Sequence, residues 1–287
     1  EKKGKAALET LPSTYDVSKE AEQLVVHLRD KNEGFLLELV YSVFPKEDVI
    51  TRSAKFINKS DKPVRLTRLM SMQLDLNRSG YVVTSFHGGW TKEMNRYDTT
   101  VNIGKFVNAS YTGSSSNRCN PFIMVSEPDT SETMGDCYGF NLVYSGNHYE
   151  AVEVNSFEKT RIVTGINPTN FAFLLAPGES FESPEAVMTF SHEGFSGVSA
   201  HMHPFVREHV VRGSWQHKER PVLLNSWEAS YFDISESSLL RLAKMGKDVG
   251  VELFVMDDGW FGHRNDDSTS LGDWKVNEQK LPGGLKP

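Results

Sequence analysis

The chain has 287 residues, with 38 Asp and Glu against 31 Lys and Arg, and a formal net charge of −7. An acidic chain repels a phosphate backbone, so the composition argues against a nucleic-acid partner. Hydrophobic residues make up 38% of the chain and aromatic residues 11%, which excludes a largely disordered protein. No apolar run approaches the roughly 20 residues that a membrane-spanning helix needs, so no membrane partner is expected.

Short predicted strands follow one another from about residue 34 to residue 191. Segments such as FLLELVYSVF, YGFNLVYSG and EAVMTFS alternate apolar and polar residues, and turn-forming residues separate them. This period of two between turns is typical of half-buried antiparallel strands. The sequence therefore predicts an antiparallel β-sandwich domain over residues 1–194.

The period changes after Gly194, where apolar residues recur at helical spacing. They are Val198, Met202, Phe205, Val206 and His209. This spacing predicts a helix, bent at Pro204, that is followed by a basic loop. We therefore expect residues 195–220 to be a linker helix and loop.

Residues 221–287 carry the signals of a βαβ unit. Apolar strands are predicted over Val222–Trp227 and Val251–Met256, and an Asp233-x-x-Glu236 capping box predicts a helix between them. The first is a short apolar strand and the second is a nearly unbroken apolar one, which predicts burial on both faces of a parallel sheet. A closed (β/α)8 barrel needs about 250 residues, so this segment is predicted to be the start of a truncated TIM barrel. The fold class is multidomain, β plus α/β.

Acidic and aromatic residues cluster after the second predicted strand. They are Asp257, Asp258, Trp260, Arg264, Asp273 and Trp274. Substrates of α/β barrels bind at the carboxyl ends of the strands, and carboxylates beside indole faces suit a sugar. Neighbouring strand residues face opposite sides, so Asp257 and Asp258 are predicted to bind hydroxyl groups rather than to form an acid/base pair. In the structural alternative, one of the two caps the next turn or pairs with Arg264.

Trp227 ends the first predicted strand and is expected to line the same pocket. The alternative is a core tryptophan under the helix. Neighbouring Glu228 is predicted to be solvated or paired with an arginine. A separate hypothesis joins His201, His203 and His209 in a metal site, but no cysteine or carboxylate stands at the usual ligand spacing and the helical spacing explains His209 as packing, so no metal is expected.

A continuous stretch from Asn225 to Pro287 resembles bacterial α-galactosidases (melibiases) of glycoside hydrolase family 36. LPSTYD, SFHGGW, GSSSNRCNPF and LLAPGESFESPEAVMTFS resemble the same family upstream. The resemblance covers nearly the whole chain as the N-terminal portion of such an enzyme, and implies a β-supersandwich followed by a catalytic (β/α)8 barrel. It also implies retaining, double-displacement hydrolysis of terminal α-1,6-linked galactose from α-galactoside oligosaccharides such as melibiose and raffinose. No cofactor is implied, and a homo-oligomer is expected.

The resemblance also assigns roles to individual residues. Asp257 and Asp258 match the aspartates that hold the galactose hydroxyls at carbons 4 and 6, and Trp227 matches an active-site tryptophan in a Trp-Glu-Ala motif. Trp260, Arg264, Asp273 and Trp274 are expected to line the pocket. The nucleophile of the family stands in a Lys-x-Asp-x-Asn motif that this sequence lacks. Nucleophile and acid/base are therefore expected beyond Pro287, so this chain has no catalytic residue and is expected to be inactive alone.

Other functions remain open at the level of sequence. Within the same chemistry, the alternatives are an α-N-acetylgalactosaminidase and a galactosyl transferase. In a different class, the alternative is a non-catalytic carbohydrate-binding or assembly module. The two cysteines, Cys119 and Cys137, favour a reducing compartment, so a cytoplasmic location is expected.

Overall fold

The computed structural model describes residues 2–115 and 118–286, which divide into two compact units, Glu1–Arg212 and Gly213–Pro287. The elements of the first unit are β1 (Lys2–Lys3), β2 (Glu22–Arg29), β3 (Phe35–Phe44), β4 (Val49–Asn58), β5 (Val64–Leu66), β6 (Met70–Leu76), β7 (Val82–His87), β8 (Asn95–Thr100), β9 (Gly104–Ala109), β10 (Cys119–Ser126), β11 (Cys137–Val143), β12 (His148–Val154), β13 (Thr160–Ile166), β14 (Phe173–Leu175), β15 (Ser180–Glu182), β16 (Glu185–Ser191) and α1 (Gly194–His209). Those of the second unit are β17 (Leu223–Asn225), α2 (Trp227–Ser230), α3 (Glu236–Asp248) and β18 (Leu253–Val255).

Antiparallel sheets build the first unit. Over the described residues, ten strands form one sheet in the order β1-β2-β3-β4-β16-β11-β10-β7-β8, with β15 also paired to β4. A second sheet has the order β12-β13-β6, and β14 pairs with β5. The two larger sheets enclose a common apolar core. The predicted antiparallel β-sandwich is confirmed.

The large sheet is covered on both faces. Ile123 and Val125 of β10 point into the core shared with the second sheet, together with Val152 of β12. Met124 lies between them and points to the opposite face, where it packs in a cluster with Phe205 of α1. Side chains of a strand alternate between faces, so one apolar strand supplies two cores.

Helix α1 closes the second of these cores. Its buried residues include Val198, Met202, Phe205 and His209, as the helical spacing predicted, whereas Val206 is exposed. The helix starts at Gly194, which has a φ of +63° and where a Cβ would collide with the carbonyl oxygen of Ser131. The segment predicted to be a linker helix thus lies in the first compact unit, which ends at Arg212.

A polar cluster is buried in the interior of the sandwich. His148 and Glu150 of β12 are fully buried, and Thr164 of β13 stands directly opposite Glu150. Asn108 of β9 donates a hydrogen bond from Nδ2 to Glu150 Oε2 at 2.7 Å. Burial raises the pKa of Glu150 well above its ordinary value of 4.5, and it lowers the pKa of His148 to about 4. Burial therefore favours the neutral form of both side chains, and His148 is neutral near neutral pH.

This cluster makes the stability of the sandwich depend on pH. The pKa of Glu150 is higher in the folded than in the unfolded state, so its contribution is complete below about pH 4.5 and is lost as pH rises. We expect Glu150→Gln, which stays neutral, to gain stability relative to the unsubstituted chain by up to about 1.4 kcal/mol per pH unit. Urea denaturation followed by far-ultraviolet circular dichroism, from about pH 5 to about pH 8, measures the difference.

Glu153→Gln is the matched control for this prediction. Glu153 lies on the same strand, but its side chain is 47% exposed and contacts Lys105 at 2.7 Å. Its replacement is expected to change stability by less than about 1 kcal/mol at every pH, as is usual for an exposed ion pair. Parallel pH profiles for the Glu150 and Glu153 variants would contradict a neutral buried Glu150.

The second unit is a βαβ unit. Strands β17 and β18 pair in parallel, with Leu223 opposite Leu253 and Asn225 opposite Val255, and α3 lies between them in sequence. The prediction that both strands are buried on both faces is wrong, because Leu223 is 51% and Leu253 42% exposed. In the described residues the parallel sheet has two strands, which leaves apolar side chains uncovered.

Helix α3 begins with a capping box that differs from the predicted one. Ser235 is the N-cap, and its Oγ accepts from the backbone N–H of Ser238 at 3.2 Å. The hydroxyl of Ser238 in turn accepts from the backbone N–H of Ser235 at 3.0 Å. The predicted pair, Asp233 and Glu236, starts two residues too early because Ser235 is the extended residue from which the helix begins.

Leu239 is the one buried apolar side chain of the same helix among the residues that the structure describes. Leu239 packs with Ile234 and Leu281, whereas Leu240 and Met245 are 58% and 60% exposed.

None of the helices in the described ranges has the length and apolar character that crossing a bilayer requires.

Candidate functional site

Two strand ends meet in the second unit. Because β17 and β18 are parallel and in register, the residues that follow Asn225 and Val255 leave the sheet at the same edge. Asn225 Nδ2 donates to Asp257 Oδ2 at 2.5 Å, and Asn225 Oδ1 accepts from the backbone N–H of Trp227 at 2.8 Å. Ser226 adds a second link, because its Oγ accepts from the backbone N–H of Asp257 at 3.1 Å. One amide side chain therefore joins the predicted tryptophan to the predicted aspartate.

The carboxylate of Asp257 keeps accepting capacity for a ligand. Its Oδ1 accepts from the backbone N–H of Asp258 at 2.8 Å, and its Oδ2 accepts from Asn225. An ionised carboxylate offers about four accepting positions, so about two remain free. Asp257 is half-buried, which allows it to meet a ligand while its orientation is fixed by protein groups.

Asp258 is bound to Arg264. The guanidinium Nε lies 2.9 Å from both carboxylate oxygens, and Nη1 donates to the carbonyl of Thr269 at 2.7 Å. Arg264 is 4% exposed, and Asp258 Oδ1 also accepts from the backbone N–H of Gly259. The ion pair that the sequence offered as a structural alternative is thus present. Asp258 has less accepting capacity left than Asp257.

The aromatic residues of the cluster have separate surroundings. Trp227 is half-buried at the start of α2, and its ring meets those of Tyr231 and Phe232 edge to face at 5.2 and 4.9 Å. Trp260 packs against the small core of the second unit. Trp274 is 64% exposed, with its ring 4.7 Å from that of Phe261.

An open cavity of about 660 Å³ lies in the loops after β18, and Trp227, Asp257 and Asp258 are not among its lining residues. Asp273 and Trp274 line it together with His263 and Asn277. Trp260 and Arg264 are not among its lining residues. Of the four predicted pocket residues, the structure therefore brings two to this cavity, packs Trp260 in the core and pairs Arg264 with Asp258.

Sequence reasoning missed three residues at this site. Asn225 and Ser226 stand directly before Trp227, and a polar pair at the end of an apolar strand was the available signal. Lys280 could not be recognised from motif spacing, because its side chain reaches the site from a later loop. Its Nζ donates to three backbone carbonyls there. Burial lowers the pKa of Lys280, against the opposing charges of Asp233 and Asp258.

The histidines of the metal hypothesis lie on α1, and two of them have separate hydrogen-bond partners. His201 Nδ1 is 2.8 Å from Thr189 Oγ1, and His209 Nδ1 donates to the carbonyl of Tyr15 at 2.8 Å, while His203 is exposed. Across residues 2–115 and 118–286, no three His, Cys, Asp or Glu side chains are grouped to hold a metal ion. The described chain therefore gives the metal hypothesis no support.

The fold first defines a class of protein. Members of this class have a β-sandwich that is followed along the chain by a parallel βαβ unit, with acidic and aromatic side chains at the strand ends of that unit. The family model for the glycosyl hydrolase family 36 N-terminal domain matches residues 1–176, and the melibiase model matches residues 180–287. The chain belongs to glycosyl hydrolase family 36, as its sequence motifs predicted.

Characterised relatives and solved structures agree along almost the full chain. α-Galactosidase AgaA of Geobacillus stearothermophilus is 43% identical over 284 residues, and α-galactosidase Mel36A of Lactobacillus acidophilus is 40% identical over 283 residues. The crystal structure of the α-galactosidase from Lactobacillus brevis superposes on 98% of this chain with a TM-score of 0.95 and 45% identity. Crystal structures of AgaA variants contain stachyose and raffinose.

The matched relatives are much longer than this chain. It spans 39% of AgaA and 39% of Mel36A, and 38% of the Lactobacillus brevis structure.

Proposed function

We propose that the whole protein, meaning this chain together with the further length that its relatives have, is a retaining α-galactosidase. It removes terminal α-1,6-linked galactose from oligosaccharides such as melibiose and raffinose. The support is membership of glycosyl hydrolase family 36 and 40–43% identity to α-galactosidases over 98–99% of the chain. The sugars seen in AgaA variants, stachyose and raffinose, belong to the same substrate class.

The observation that carries the proposal is the bridge from Asn225 to both Trp227 and Asp257. It fixes an indole and a carboxylate with free accepting positions at one edge of a parallel sheet. An indole face covers the apolar face of a sugar, and a carboxylate accepts from two hydroxyl groups. We assign Asp257 and Asp258 to the binding of the galactose hydroxyls at carbons 4 and 6. We assign Trp227 to the wall of the same pocket, with Asp273 and Trp274 also lining it.

This assignment predicts selectivity for galactose over glucose. The two sugars differ in the orientation of the hydroxyl at carbon 4. A carboxylate committed to the axial hydroxyl loses its partner when glucose enters, and a buried charged acceptor left unpaired costs about 1–3 kcal/mol or more.

We further propose that the second unit is the first part of a catalytic (β/α)8 barrel. The strand, helix, strand order with parallel pairing supports this proposal. The exposed apolar side chains of Leu223 and Leu253 support it as well, since further strands and helices would cover them. Nucleophile and acid/base are then aspartates on later strands of the whole protein.

Activity of the whole protein and of this chain tests the proposal. Purified whole protein is expected to release nitrophenol from nitrophenyl α-galactoside. Because retaining hydrolysis keeps the configuration at carbon 1, proton NMR is expected to show α-galactose as the first product. The 287-residue chain alone is expected to release none. Turnover confined to the α-N-acetylgalactosaminide would reassign the substrate. Turnover by the short chain would contradict the placement of the catalytic aspartates outside it.

Assembly and location are part of the same proposal. The family resemblance supports a homo-oligomeric whole protein, and light scattering of the purified protein measures its mass. Cys119 and Cys137 are not bonded to each other, and burial raises the pKa of Cys137 to about 12. A buried, unreactive thiol is compatible with the proposed cytoplasmic location.

A further inference from the structure

The ammonium group of Lys280 is a meeting point of three backbone segments. Its Nζ donates to the carbonyl of Phe232 at 2.7 Å, of Gly259 at 3.0 Å and of Arg264 at 3.1 Å. A lysine ammonium has three donors, so all of them are used. Along the chain, Gly259 is 21 residues and Phe232 is 48 residues away from Lys280.

Lys280 is itself held in place. Its backbone N–H donates to the carbonyl of Asn277 at 3.1 Å, and Asn277 is 8% exposed. The side chain of Asn277 donates to the carbonyl of Gly262 at 2.9 Å, and its backbone N–H donates to the carbonyl of Trp260 at 2.8 Å. The lysine therefore reaches the three carbonyls from a turn that is already fixed to the same loop.

Each carbonyl belongs to a segment that carries a candidate sugar-binding residue. Gly259 directly follows Asp258, and Arg264 is the partner of Asp258. The ring of Phe232 packs edge to face against Trp227, with 4.9 Å between ring centroids. One ammonium thus holds the loops after both parallel strands.

The two loops touch where Lys280 binds them. A Cβ on Gly259 would stand 3.0 Å from the Cα and 3.1 Å from the carbonyl oxygen of Phe232, and Gly259 has a φ of +91°. A Cβ at this position would force a neighbouring atom to shift by a few tenths of an ångström, and a left-handed φ favours glycine. Two backbones brought together with their carbonyls side by side repel each other unless a donor lies between them, and Lys280 supplies it.

We infer that Lys280 is a positioning residue for the galactose site, which sets the separation between Trp227 and the Asp257–Asp258 pair by holding both strand-end loops on one ammonium. This inference rests on the proposed function of the site. Lys280 acts through its neighbours and does not touch the sugar. A shift of about 1 Å in such a supporting contact is enough to cost about a hundredfold in activity.

The test compares Lys280→Arg and Lys280→Met with Lys244→Arg and Lys244→Met in the whole protein. Lys244 is exposed on α3 and serves as the matched control. Arginine keeps the positive charge, but its planar guanidinium cannot direct donors to three converging carbonyls. We expect Lys280→Arg to weaken binding of 1-deoxygalactonojirimycin, measured by calorimetry, and to lower kcat/KM for nitrophenyl α-galactoside by about 10- to 100-fold each. Should Lys280→Met fail to fold, Lys280→Arg alone decides the outcome.

A double-mutant cycle separates positioning from general stability. If Lys280 acts through Asp258, Asp258→Asn combined with Lys280→Arg is no worse in kcat/KM than Asp258→Asn alone. Additive losses, or a Lys280→Arg variant with unchanged affinity and kcat/KM, would overturn the inference.

Hydrogen exchange gives a readout that does not depend on sugar. Amide exchange over residues 255–266 is expected to be at least about tenfold faster in Lys280→Arg than in Lys244→Arg, because the loop loses its anchor. If the unsubstituted whole protein neither turns over nor binds an α-galactoside, the proposed function fails. Equal exchange in the two variants refutes the positioning role by itself.

Discussion

We expect Asp257→Asn to lower kcat/KM of the whole protein for α-galactosides by about a thousandfold. A hydrogen bond to a charged group contributes about 1.5–3 kcal/mol, and the carboxylate has accepting positions for about two hydroxyl groups. An asparagine also disturbs the site, because its NH₂ group must face a donor in either orientation, Asn225 Nδ2 or the N–H of Asp258. Steady-state kinetics with nitrophenyl α-galactoside measure the loss.

A swap of the two side chains separates charge from structure. In the double variant Asn225→Asp with Asp257→Asn, the amide at 257 donates to the carboxylate at 225, and its oxygen accepts from Asp258 N–H. The carboxylate at 225 also accepts from the Trp227 N–H that Asn225 now binds. All internal hydrogen bonds are thereby restored, but the negative charge has moved. The double variant is expected to have the melting temperature of the unsubstituted protein and to stay inactive. Recovery of activity would show that the negative charge at position 257 is dispensable.

Arg264→Leu is expected to destabilise the second unit by about 3–5 kcal/mol. The substitution removes the partner of Asp258, whose side chain is 20% exposed, and leaves a carboxylate with an uncompensated charge. It also removes the donor to the carbonyl of Thr269. Urea denaturation followed by tryptophan fluorescence measures the effect, because four of the five tryptophans lie within Gly213–Pro287.

Two further variants check the cause of this loss. Arg241→Leu, at an exposed position of α3, is expected to change stability by less than about 0.5 kcal/mol. Adding Asp258→Asn to Arg264→Leu is expected to recover part of the loss, since it removes the stranded charge. A loss below about 1 kcal/mol for Arg264→Leu would assign the pair the small value of a surface salt bridge.

Local patterns predicted the sandwich and the strand ends well because both depend on short-range signals. The period of two in β11 and β16 requires only neighbouring residues to be recognised. Asp257 and Trp227 were predicted as site residues because each stands at the end of an apolar strand, and the structure links both of them to Asn225. The family resemblance then covered the full chain.

Features that depend on distant residues were not predictable in this way. His148 and Glu150 share a face of β12 with Val152, so the strand mixes polar and apolar residues on its buried side and the alternation hides their burial. Lys280 acts through a long flexible side chain that reaches segments 21 and 48 residues away. The exposure of Leu223 also departs from its pattern, because a pattern records what a strand is suited to pack against.

The position of β16 in the large sheet determines how late during synthesis on the ribosome this sheet can be completed. β16 is the last strand of the first unit, yet it lies between β4 and β11 and joins the two halves of the sheet. Until residues 185–191 have left the ribosome, each half presents a long unpaired edge that can pair with another nascent chain. The sandwich must therefore fold late and as one piece, and cells that translate this segment slowly would expose those edges for longer.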